Sequence, residues 1–457
     1  MESGAQMAES TPGLICRLRM PIDAASLAIA RIAFGLIMVW EVCRYFTFGW
    51  IRDYYIDPEL HFTYYGFGWV RPWPGEFMYL HFALMGVAAL CIALGLFYRL
   101  ATVFFFLAFT FVFLLDQAYY LNHFYLISLV SFLFIFVPAH RMWSLDARYR
   151  PAIRNDSVPT WSLWIMRFQV GVAYFYGGIA KLNQDWLQGE PLRTWLAGDT
   201  DFPVIGQYFT EDWMIYLISY SGLAIDLLVV PLLLWRRTRV LAYAVVLAFN
   251  LSNAALFYIG VFPWMMIALT TLYFDPSWPR RILLVWRKPP QSDIPSRITA
   301  SGFLVGVFLC VYVALQVLMP LRHWLYPGNP SWTEEGHRFA WHMKLRTKDV
   351  DAKFFAHDHD NDVVYEVDPL DYLTHRQAGK MEDKPDMILQ FCHFVADDLR
   401  RQGVNDLEVR ASIVASLNAR PYQLLIDPDT NLAAQKRSLR HAPWIVLLGE
   451  SEEPAGN

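Results

Sequence analysis

The sequence has few charged residues, and this shortage narrows the classes of protein it can be. Charged residues make up 18% of the 457 residues, whereas a soluble domain has about 25%. The net charge of −4 is close to neutral, which argues against nucleic acid as a partner. The first 24 residues lack the apolar core of a signal peptide, so the first apolar helix is expected to be retained.

Cysteines are also few, and they are widely separated. Only Cys392 lies clearly in the polar part of the chain, so no disulfide framework is expected, and none of the spacings fits a metal site. The five cysteines are Cys16, Cys43, Cys91, Cys310 and Cys392.

Apolar residues are in excess, with 55% hydrophobic and 16% aromatic residues, against about 45–50% apolar residues in soluble domains. The excess precedes residue 321, in runs long enough to span a bilayer, which takes about 20 residues. We therefore expect a polytopic α-helical membrane protein with about nine transmembrane helices and a C-terminal extramembrane α+β domain. The expected spans are roughly 25–43, 76–97, 100–117, 122–138, 161–181, 213–235, 239–257, 260–274 and 299–320.

The chain divides into four expected segments. These are a flexible N-terminus (1–24), a transmembrane helical domain (25–320), an extracytoplasmic α+β domain (321–445) and a flexible tail (446–457). In the third segment, the alternating runs KLRTKDVDAKFFAHD and NDVVYEVD predict a hairpin. DKPDMILQFCHFVADDLRRQG predicts an amphipathic helix that ends at Gly403. LEVRASIVASL and PYQLLID predict two further strands.

The distribution of arginines among the connections predicts how the spans are oriented in the membrane. If the N-terminus is cytoplasmic, the connections at Arg99 and over 139–160, 236–238 and 275–298 are cytoplasmic, and they are rich in arginine. The connection 182–212, on the opposite side, holds Arg193 against six acidic residues. This asymmetry follows the positive-inside rule. It predicts an integral membrane protein with a cytoplasmic N-terminus and an extracytoplasmic C-terminal domain, although the outer connection 44–75 carries three arginines.

Lys181 ends the fifth span, in the run FYGGIAKLNQDW. A cation at membrane depth is costly and is often functional. Burial disfavours the ammonium and favours the neutral amine, which can act as a base. The alternative is a lysine that extends to the lipid headgroups, as many do at helix ends.

Other polar residues fall near the same depth. Asn122 and His123 begin the fourth span, and Asn250 and Asn253 lie towards the outer end of the seventh. Arg167 and Gln169 lie within the fifth span, below Lys181. A single buried polar residue is usually a packing hydrogen bond. Several at one level favour a site in which histidine and lysine move protons and asparagines hold a hydroxyl or an oxyanion.

The segment AHDHDND, with His357 to Asp362 at its centre, has the composition of a metal loop. It lacks the Asp/Asn–Gly spacing and the closing glutamate of a calcium loop. We therefore interpret it as a solvated acidic turn between two strands, and no metal is expected.

These residues lie in motifs that resemble the vitamin K-dependent gamma-glutamyl carboxylase family, within the wider group of HTTM membrane proteins. The resemblance runs in order from residue 20 to about residue 436. The motifs are PIDAASLAIARIAFG, FVFLLDQAYYLNHFYL, VPTWSLWIMRFQVGVAYFYGGIAKLNQDW, NAALFYIGVFPW, FDPSWPRR, FAWHMKLR and SLNARPYQLLIDP.

The resemblance implies a carbon–carbon lyase that oxidises vitamin K hydroquinone (reduced menaquinone or phylloquinone) with O2 to the epoxide. The strong base so formed takes a γ-proton from glutamate in a peptide or protein, and the carbanion captures CO2. By resemblance, Lys181 deprotonates the membrane quinol, His123 assists formation of the carbanion and Asn122 orients the quinol. Asn250, Asn253, Arg167 and Gln169 are candidate substrate-binding residues. The implied partners are the lipid bilayer, the quinol and a glutamate-containing substrate.

The chain departs from the family pattern in the seventh span, where eukaryotic members usually have His-x-x-Asn. Here FNLSN places Asn250 at the histidine position, so a proton-transfer step assigned there is in question. The chain also stops soon after LIDP, so recognition of a propeptide can differ. Two alternatives remain open: a homologue that epoxidises quinol without carboxylating peptides, and a non-enzymatic HTTM protein acting in transport or immunity.

Overall fold

The computed structural model describes residues 14–257, 259–283 and 300–449. Helices dominate up to residue 321. They are α1 (Leu14–Arg19), α2 (Ala25–Thr47), α3 (Trp50–Tyr55), α4 (Phe77–Leu94), α5 (Tyr98–Leu115), α6 (Asn122–Phe136), α7 (Leu145–Tyr149), α8 (Thr160–Lys181), α9 (Gln184–Leu187), α10 (Leu192–Leu196), α11 (Asp212–Leu234), α12 (Arg239–Leu256), α13 (Phe262–Thr270), α14 (Trp278–Ile282) and α15 (Ala300–Leu321).

Six helices are long and apolar enough to cross a membrane: α2, α4, α5, α11, α12 and the stretch Phe303–Leu325 that includes most of α15. The other three expected spans correspond to α8 and to the shorter apolar helices Asn122–Phe136 and Phe262–Tyr273. The structure therefore confirms a polytopic helical membrane protein, whereas the count of nine spans stays a proposal. The five cysteines are free.

Two segments expected to be flexible are partly ordered. Strand β1 (Pro21–Asp23) pairs antiparallel with β2 (Ser157–Pro159), so α1 and β1 structure the second half of the N-terminal segment. Val446 donates its backbone N–H to Leu425, 3.0 Å away, which carries the C-terminal domain past residue 445. Residues 1–13 and 450–457 lie outside the described residues.

Helix α2 is the centre of the N-terminal bundle because small residues let α4 approach it closely. A Cβ added at Gly35 would lie 2.5 Å from the backbone nitrogen of Ala93. Arg31, fully buried one turn earlier, donates to the carbonyls of Ile92 and Ala93 at 2.6 and 2.7 Å. Its other nitrogens donate to Ala139 and Trp143. These charge-assisted bonds satisfy carbonyls at the end of α4 and tie the 139–143 connection to the bundle.

The C-terminal domain contains both helices and strands, as predicted, and its strands form one antiparallel sheet. Its elements are α16 (Pro330–Thr333), β3 (Lys348–Asp358), β4 (Val363–Val367), α17 (His375–Met381), α18 (Pro385–Arg401), β5 (Leu407–Leu417) and β6 (Gln423–Leu424), with strand order β4-β3-β5-β6. Phe391 of α18 packs edge-on against Phe354 of β3, with ring centroids 4.9 Å apart. The strand predicted over PYQLLID is shorter than expected, since only Gln423 and Leu424 pair with β5.

Partly or fully buried polar side chains of this domain bind the outer connections of the bundle. Arg437 and Asp386 form a two-point ion pair at 2.6 and 2.8 Å, and Arg437 also binds Thr63. Gln377 donates to Asp116 at 2.9 Å. Because these partners are partly or fully buried, the two parts of the chain form one packed unit.

Glycine sets the approach of α8 to α11. A Cβ added at Gly178 would lie 2.6 Å from Cδ2 of Leu227 and 3.2 Å from its backbone nitrogen. The backbone atom cannot yield, so a larger residue at this position would push the two helices apart.

We therefore expect Gly178→Ala to lower the thermal unfolding midpoint of the purified protein, at a cost of about 1–3 kcal/mol from overpacking. Gly306→Ala is the matched control, because a Cβ at Gly306 in α15 meets no atom within 4 Å. That change should leave the midpoint unchanged or raise it, since alanine favours a helix over glycine by about 1 kcal/mol. Equal midpoints for the two variants would contradict the close α8–α11 packing.

Candidate functional site

Lys181 points into the bundle and not towards the headgroups. Its Nζ lies 2.5 Å from Oδ2 of Asp226 on α11 and 3.3 Å from the carbonyl of Gly177. Lys181 is 6% exposed and Asp226 is 4% exposed. The pair is therefore a buried ion pair in which each side chain compensates the charge of the other.

Asp226 is a candidate site residue that the sequence analysis did not name. A signal was present, because SGLAIDLLVVP places one carboxylate in the middle of an apolar span. Such residues are rare in membrane helices and usually pair with another charge. The structure identifies Lys181 as that partner.

The glycine pair in FYGGIAK makes this contact possible. A Cβ at Gly177 would lie 3.3 Å from Oδ2 of Asp226 and 3.1 Å from Cε of Met343. Gly177 therefore gives the carboxylate room beside α8, in the way that Gly178 gives room to Leu227. Met343 comes from the C-terminal domain, so that domain closes the outer side of the pair.

Trp186 forms another wall. Its ring lies 5.1 Å from Nζ of Lys181, within cation–π range. Reciprocal hydrogen bonds to Ser219 hold this ring: Nε1 donates to the carbonyl of Ser219 at 2.9 Å, and the Ser219 hydroxyl donates to the carbonyl of Trp186 at 2.6 Å. The lysine thus has a carboxylate on α11, a carbonyl on α8 and an aromatic face on α9.

Asn122 holds the segment that carries Met343. Its Nδ2 donates to the carbonyl of His342 at 3.0 Å, and its Oδ1 accepts from the hydroxyl of Tyr120 at 3.0 Å. The same tyrosine oxygen accepts the backbone N–H of Phe339 at 2.8 Å. Asn122 and Lys181 are therefore linked through two consecutive residues of the C-terminal domain, His342 and Met343.

This segment, residues 339–346, has an irregular backbone, and ion pairs with Glu334 hold its C-terminal end. Phe339, Trp341 and Lys344 have positive φ angles of 62°, 61° and 53°. Glu334 binds Arg346 at 2.6 Å and Lys348 at 2.9 Å. Burial alone would raise the pKa of Glu334, but the two cations outweigh it and lower the pKa to about 2. The carboxylate thus stays ionised and anchors the end of the segment.

His342 is uncharged at neutral pH. Burial lowers the pKa of its imidazole to about 3, and the neighbouring His323 and Arg346 act in the same direction. Asn122 binds the backbone carbonyl of His342 and not its ring, so this contact does not depend on a histidine proton.

His123 faces a different neighbour from Asn122. Its buried ring lies 4.9 Å from Phe124 and 5.8 Å from Phe262, measured between ring centroids. Phe262 begins α13, just after Gly260, whose left-handed backbone (φ 59°) lies against the guanidinium of Arg44. The structure therefore places Asn122 on the Lys181 side of α6 and His123 on the α13 side.

Asn250 lies in a buried polar cluster next to α8. It is 2% exposed, and its Nδ2 donates to the carbonyl of Val246 in its own helix at 2.9 Å. The hydroxyl of Tyr174 lies beside the Asn250 amide and the Thr270 hydroxyl without reaching hydrogen-bond geometry to either. Tyr174 precedes Lys181 by seven residues, two turns on the same face of α8.

The remaining predicted residues do not join Lys181. Gln169 accepts from the hydroxyl of Tyr312 on α15 at 2.6 Å. Arg167 donates to the carbonyls of Leu272 and Phe274 at 2.7 and 3.0 Å. Asn253 is half-buried and makes no side-chain hydrogen bond to any residue that the structure describes. Gln169 and Arg167 thus bind neighbouring parts of the bundle, and their part in substrate binding stays a prediction.

The loop after Lys181 is the second docking point of the C-terminal domain. Asp185 accepts from Nδ2 of Asn418 at 2.7 Å and from Nη1 of Arg420 at 2.8 Å, and Nη2 of Arg420 binds its other oxygen. Asn418 and Ala419 have left-handed backbone angles. This turn directs the side chains of Asn418 and Arg420 towards Asp185. The motif SLNARPYQ therefore positions the chain immediately beyond the lysine.

Comparison with known families agrees with this architecture. The HTTM domain model matches residues 19–278, and the model described as "Vitamin K-dependent gamma-carboxylase, lumenal domain" matches residues 302–451. No solved structure matches the chain. The lumenal-domain match and the apolar helices identify an integral membrane protein whose C-terminal domain is lumenal in type. The chain belongs to the vitamin K-dependent gamma-glutamyl carboxylase family, with an HTTM domain followed by that family's lumenal domain.

Proposed function

We propose that this protein is an integral membrane vitamin K-dependent gamma-carboxylase. It couples oxidation of vitamin K hydroquinone by O2 to proton abstraction from, and carboxylation of, glutamate in a peptide. The observation that carries the proposal is the buried pair of Lys181 and Asp226, in the lysine segment of the HTTM domain and closed by the lumenal domain. Lys181 also occurs together with Asn122 and His123, a set for which a transporter has no need.

Lys181 acts as the general base towards the quinol hydroxyl in this proposal: its neutral amine takes the quinol proton, a quinolate remains, and the ion pair with Asp226 is the state that results. A lysine that accepts a proton becomes a cation, and at this depth an uncompensated cation is strongly disfavoured. Asp226, 2.5 Å from Nζ, stabilises that cation, and Trp186 adds its aromatic face. Asp226 is thus a positioning residue that makes proton uptake by Lys181 possible.

The buried polar cluster of Tyr174, Thr270 and Asn250 suits a quinol headgroup. The Tyr174 and Thr270 hydroxyls are buried beside the Asn250 amide, and neither makes a hydrogen bond of standard geometry to a described residue. A quinol is a flat ring with two hydroxyls, so it can satisfy both groups. Asn250 contributes an amide here. Because an amide cannot take a proton at working pH, Asn250 acts as a hydrogen-bonding residue.

Asn122 and His123 divide the outer side of the site. Both ends of the Asn122 amide are bound by Tyr120 and His342, so Asn122 orients the quinol through the segment that it holds. His123 faces α13 on the other side of α6. In this position it serves the glutamate half-reaction, in which a proton leaves the γ-carbon and CO2 is added.

The decisive experiment uses purified protein in nanodiscs with vitamin K hydroquinone, O2, labelled bicarbonate and a glutamate-containing peptide. We expect both epoxide and fixed label from the wild type. Epoxide without label would support a quinol-epoxidising homologue that carboxylates no peptide. Neither product would favour a non-enzymatic HTTM protein.

In the same assay, Lys181→Ala should lower epoxide formation by about 10²–10⁴-fold, the usual contribution of a general base. Small amines should restore part of the rate in Lys181→Ala, because they replace only the lost base. Asp226→Asn should also lose activity, yet amines should not rescue it, because Lys181 still fills the site. Lys353→Ala, at an exposed position on β3, is the matched control. Undiminished epoxidation by Lys181→Ala would refute its role as base.

A separate prediction concerns His123. His123→Ala should leave epoxide formation largely intact while tritium exchange at the glutamate γ-carbon and CO2 fixation fall, because the histidine lies away from the Lys181–Asp226 pair. The exposed His375→Ala in α17 is the control. Parallel loss of both half-reactions in His123→Ala would contradict the division of labour, and tritium exchange alone decides the matter if the wild type fixes no CO2.

We further propose nine spans with a cytoplasmic N-terminus and an extracytoplasmic C-terminal domain, from the arginine asymmetry of the connections. In a background without native cysteines, Arg150→Cys and Asp360→Cys should label with membrane-impermeant maleimide from opposite sides. Both positions are solvent-exposed, so burial does not limit labelling. Labelling of both from one side would overturn the topology.

A further inference from the structure

The outer face of the C-terminal sheet carries two histidines and a glutamate side by side. His357 on β3 pairs in register with Glu408 on β5, and side chains of directly paired residues lie on the same face, with Cβ atoms about 5 Å apart. His359 follows two residues later, which returns its side chain to that face. The ladder continues to it, because the His359 backbone N–H donates to the carbonyl of Asp406 at 2.9 Å.

The three side chains converge. One ligand atom from each of His357, His359 and Glu408 can be chosen so that all lie within 4.8 Å of one another. The two imidazole centroids are 4.1 Å apart, and Nε2 of His359 is 3.7 Å from Oε1 of Glu408. Two ligands on a tetrahedral ion with bonds of about 2.1 Å lie about 3.4 Å apart, so modest side-chain rotation completes the site.

The surroundings orient the ligands. Oε2 of Glu408 accepts from Nε and Nη2 of Arg410 at 3.0 and 2.7 Å, which leaves Oε1 turned towards His359. Nε2 of His357 lies 3.3 Å from Oδ1 of the exposed Asp362. Carboxylates and cations that hold ligating side chains in this way are typical of the shell around metal sites.

One acidic residue of the same loop, Asp358, has a structural role. The Asp358 carboxylate accepts from the backbone N–H groups of Asp360 and Asn361 and from the Asn361 side chain, at 3.0, 3.3 and 2.8 Å. Asp358 is 1% exposed, so it closes the turn as a structural residue. This agrees with the sequence-based interpretation of AHDHDND as a turn. The side chains of His357 and His359 lie on the opposite face from the Asp358 carboxylate.

We propose that His357, His359 and Glu408 form a binding site for one divalent first-row transition metal ion, with Zn²⁺ as the type. Two imidazoles and one carboxylate suit zinc, cobalt, iron or nickel, whereas calcium and magnesium prefer oxygen ligands alone. Three protein ligands leave the remaining coordination position to water. The site replaces the sequence-based expectation of no metal, which considered the loop without Glu408.

The test uses the full-length protein in nanodiscs, purified without a histidine tag and stripped with EDTA. Co²⁺ is the probe, because its visible absorption reports coordination by nitrogen and oxygen ligands, and mass spectrometry of the dialysed protein counts bound Zn²⁺. We expect about one equivalent per chain, as for a single mononuclear site, with Zn²⁺ displacing Co²⁺ and excess Mg²⁺ displacing neither ion.

Matched variants separate this site from adventitious binding. His357→Ala, His359→Ala and Glu408→Gln should each weaken Co²⁺ binding by at least about tenfold. His375→Ala, an exposed histidine of the same domain, should bind as the wild type does. All four side chains are at least partly exposed, and thermal midpoints measured without metal verify that the variants fold. Absence of bound metal in the wild type, or equal binding by His359→Ala and His375→Ala, would overturn the proposal. Because the assay measures binding alone, its outcome is independent of carboxylase activity.

Discussion

The buried ion pair between Lys181 and Asp226 is the constraint around which the bundle is arranged. Two opposite charges can remain at membrane depth only if they meet, and they meet only if α8 and α11 approach closely. Gly177 and Gly178 allow that approach, since a Cβ at either would press on Asp226 or Leu227. Trp186, held by Ser219, then covers the ammonium. Helix spacing, glycine placement and the aromatic wall thus have one common physical cause.

The lumenal domain is part of the same arrangement, because two of its loops meet the lysine segment. Met343 packs against Gly177, and Arg420 clamps Asp185. Asn122 binds the residue before Met343. Two of these points are partly buried hydrogen bonds, and the charge-assisted bonds between Arg420 and Asp185 are stronger than neutral ones. A displacement of the domain would therefore uncover the ion pair, so the soluble part of the chain helps to keep water from the site.

Much of the fold was predictable because it rests on local patterns. Apolar runs gave the bundle, alternation gave the β3–β4 hairpin, and helical periodicity with Gly403 gave α18. Lys181 was recognisable as a lone cation in an apolar helix. Its partner was not assigned, since pairing of Lys181 with Asp226 depends on how α8 packs against α11. For the same reason the sequence grouped Asn122 with His123, although their side chains point to different neighbours, and it missed Glu408 as the cross-strand neighbour of His357.

The geometry around Asn250 bears on the departure from His-x-x-Asn in the seventh span. Asn250 lies beside Tyr174 and Thr270. Of these, Tyr174 is on α8, two turns from Lys181. A histidine here could exchange protons, but an amide cannot. In this chain the polar cluster around Asn250 therefore offers hydrogen bonds. The nearby groups that can take up a proton are Lys181 and Asp226. If the quinol binds beside Tyr174, the Lys181–Asp226 pair handles the proton that the reaction releases, and the close contact between α8 and α11 holds that pair.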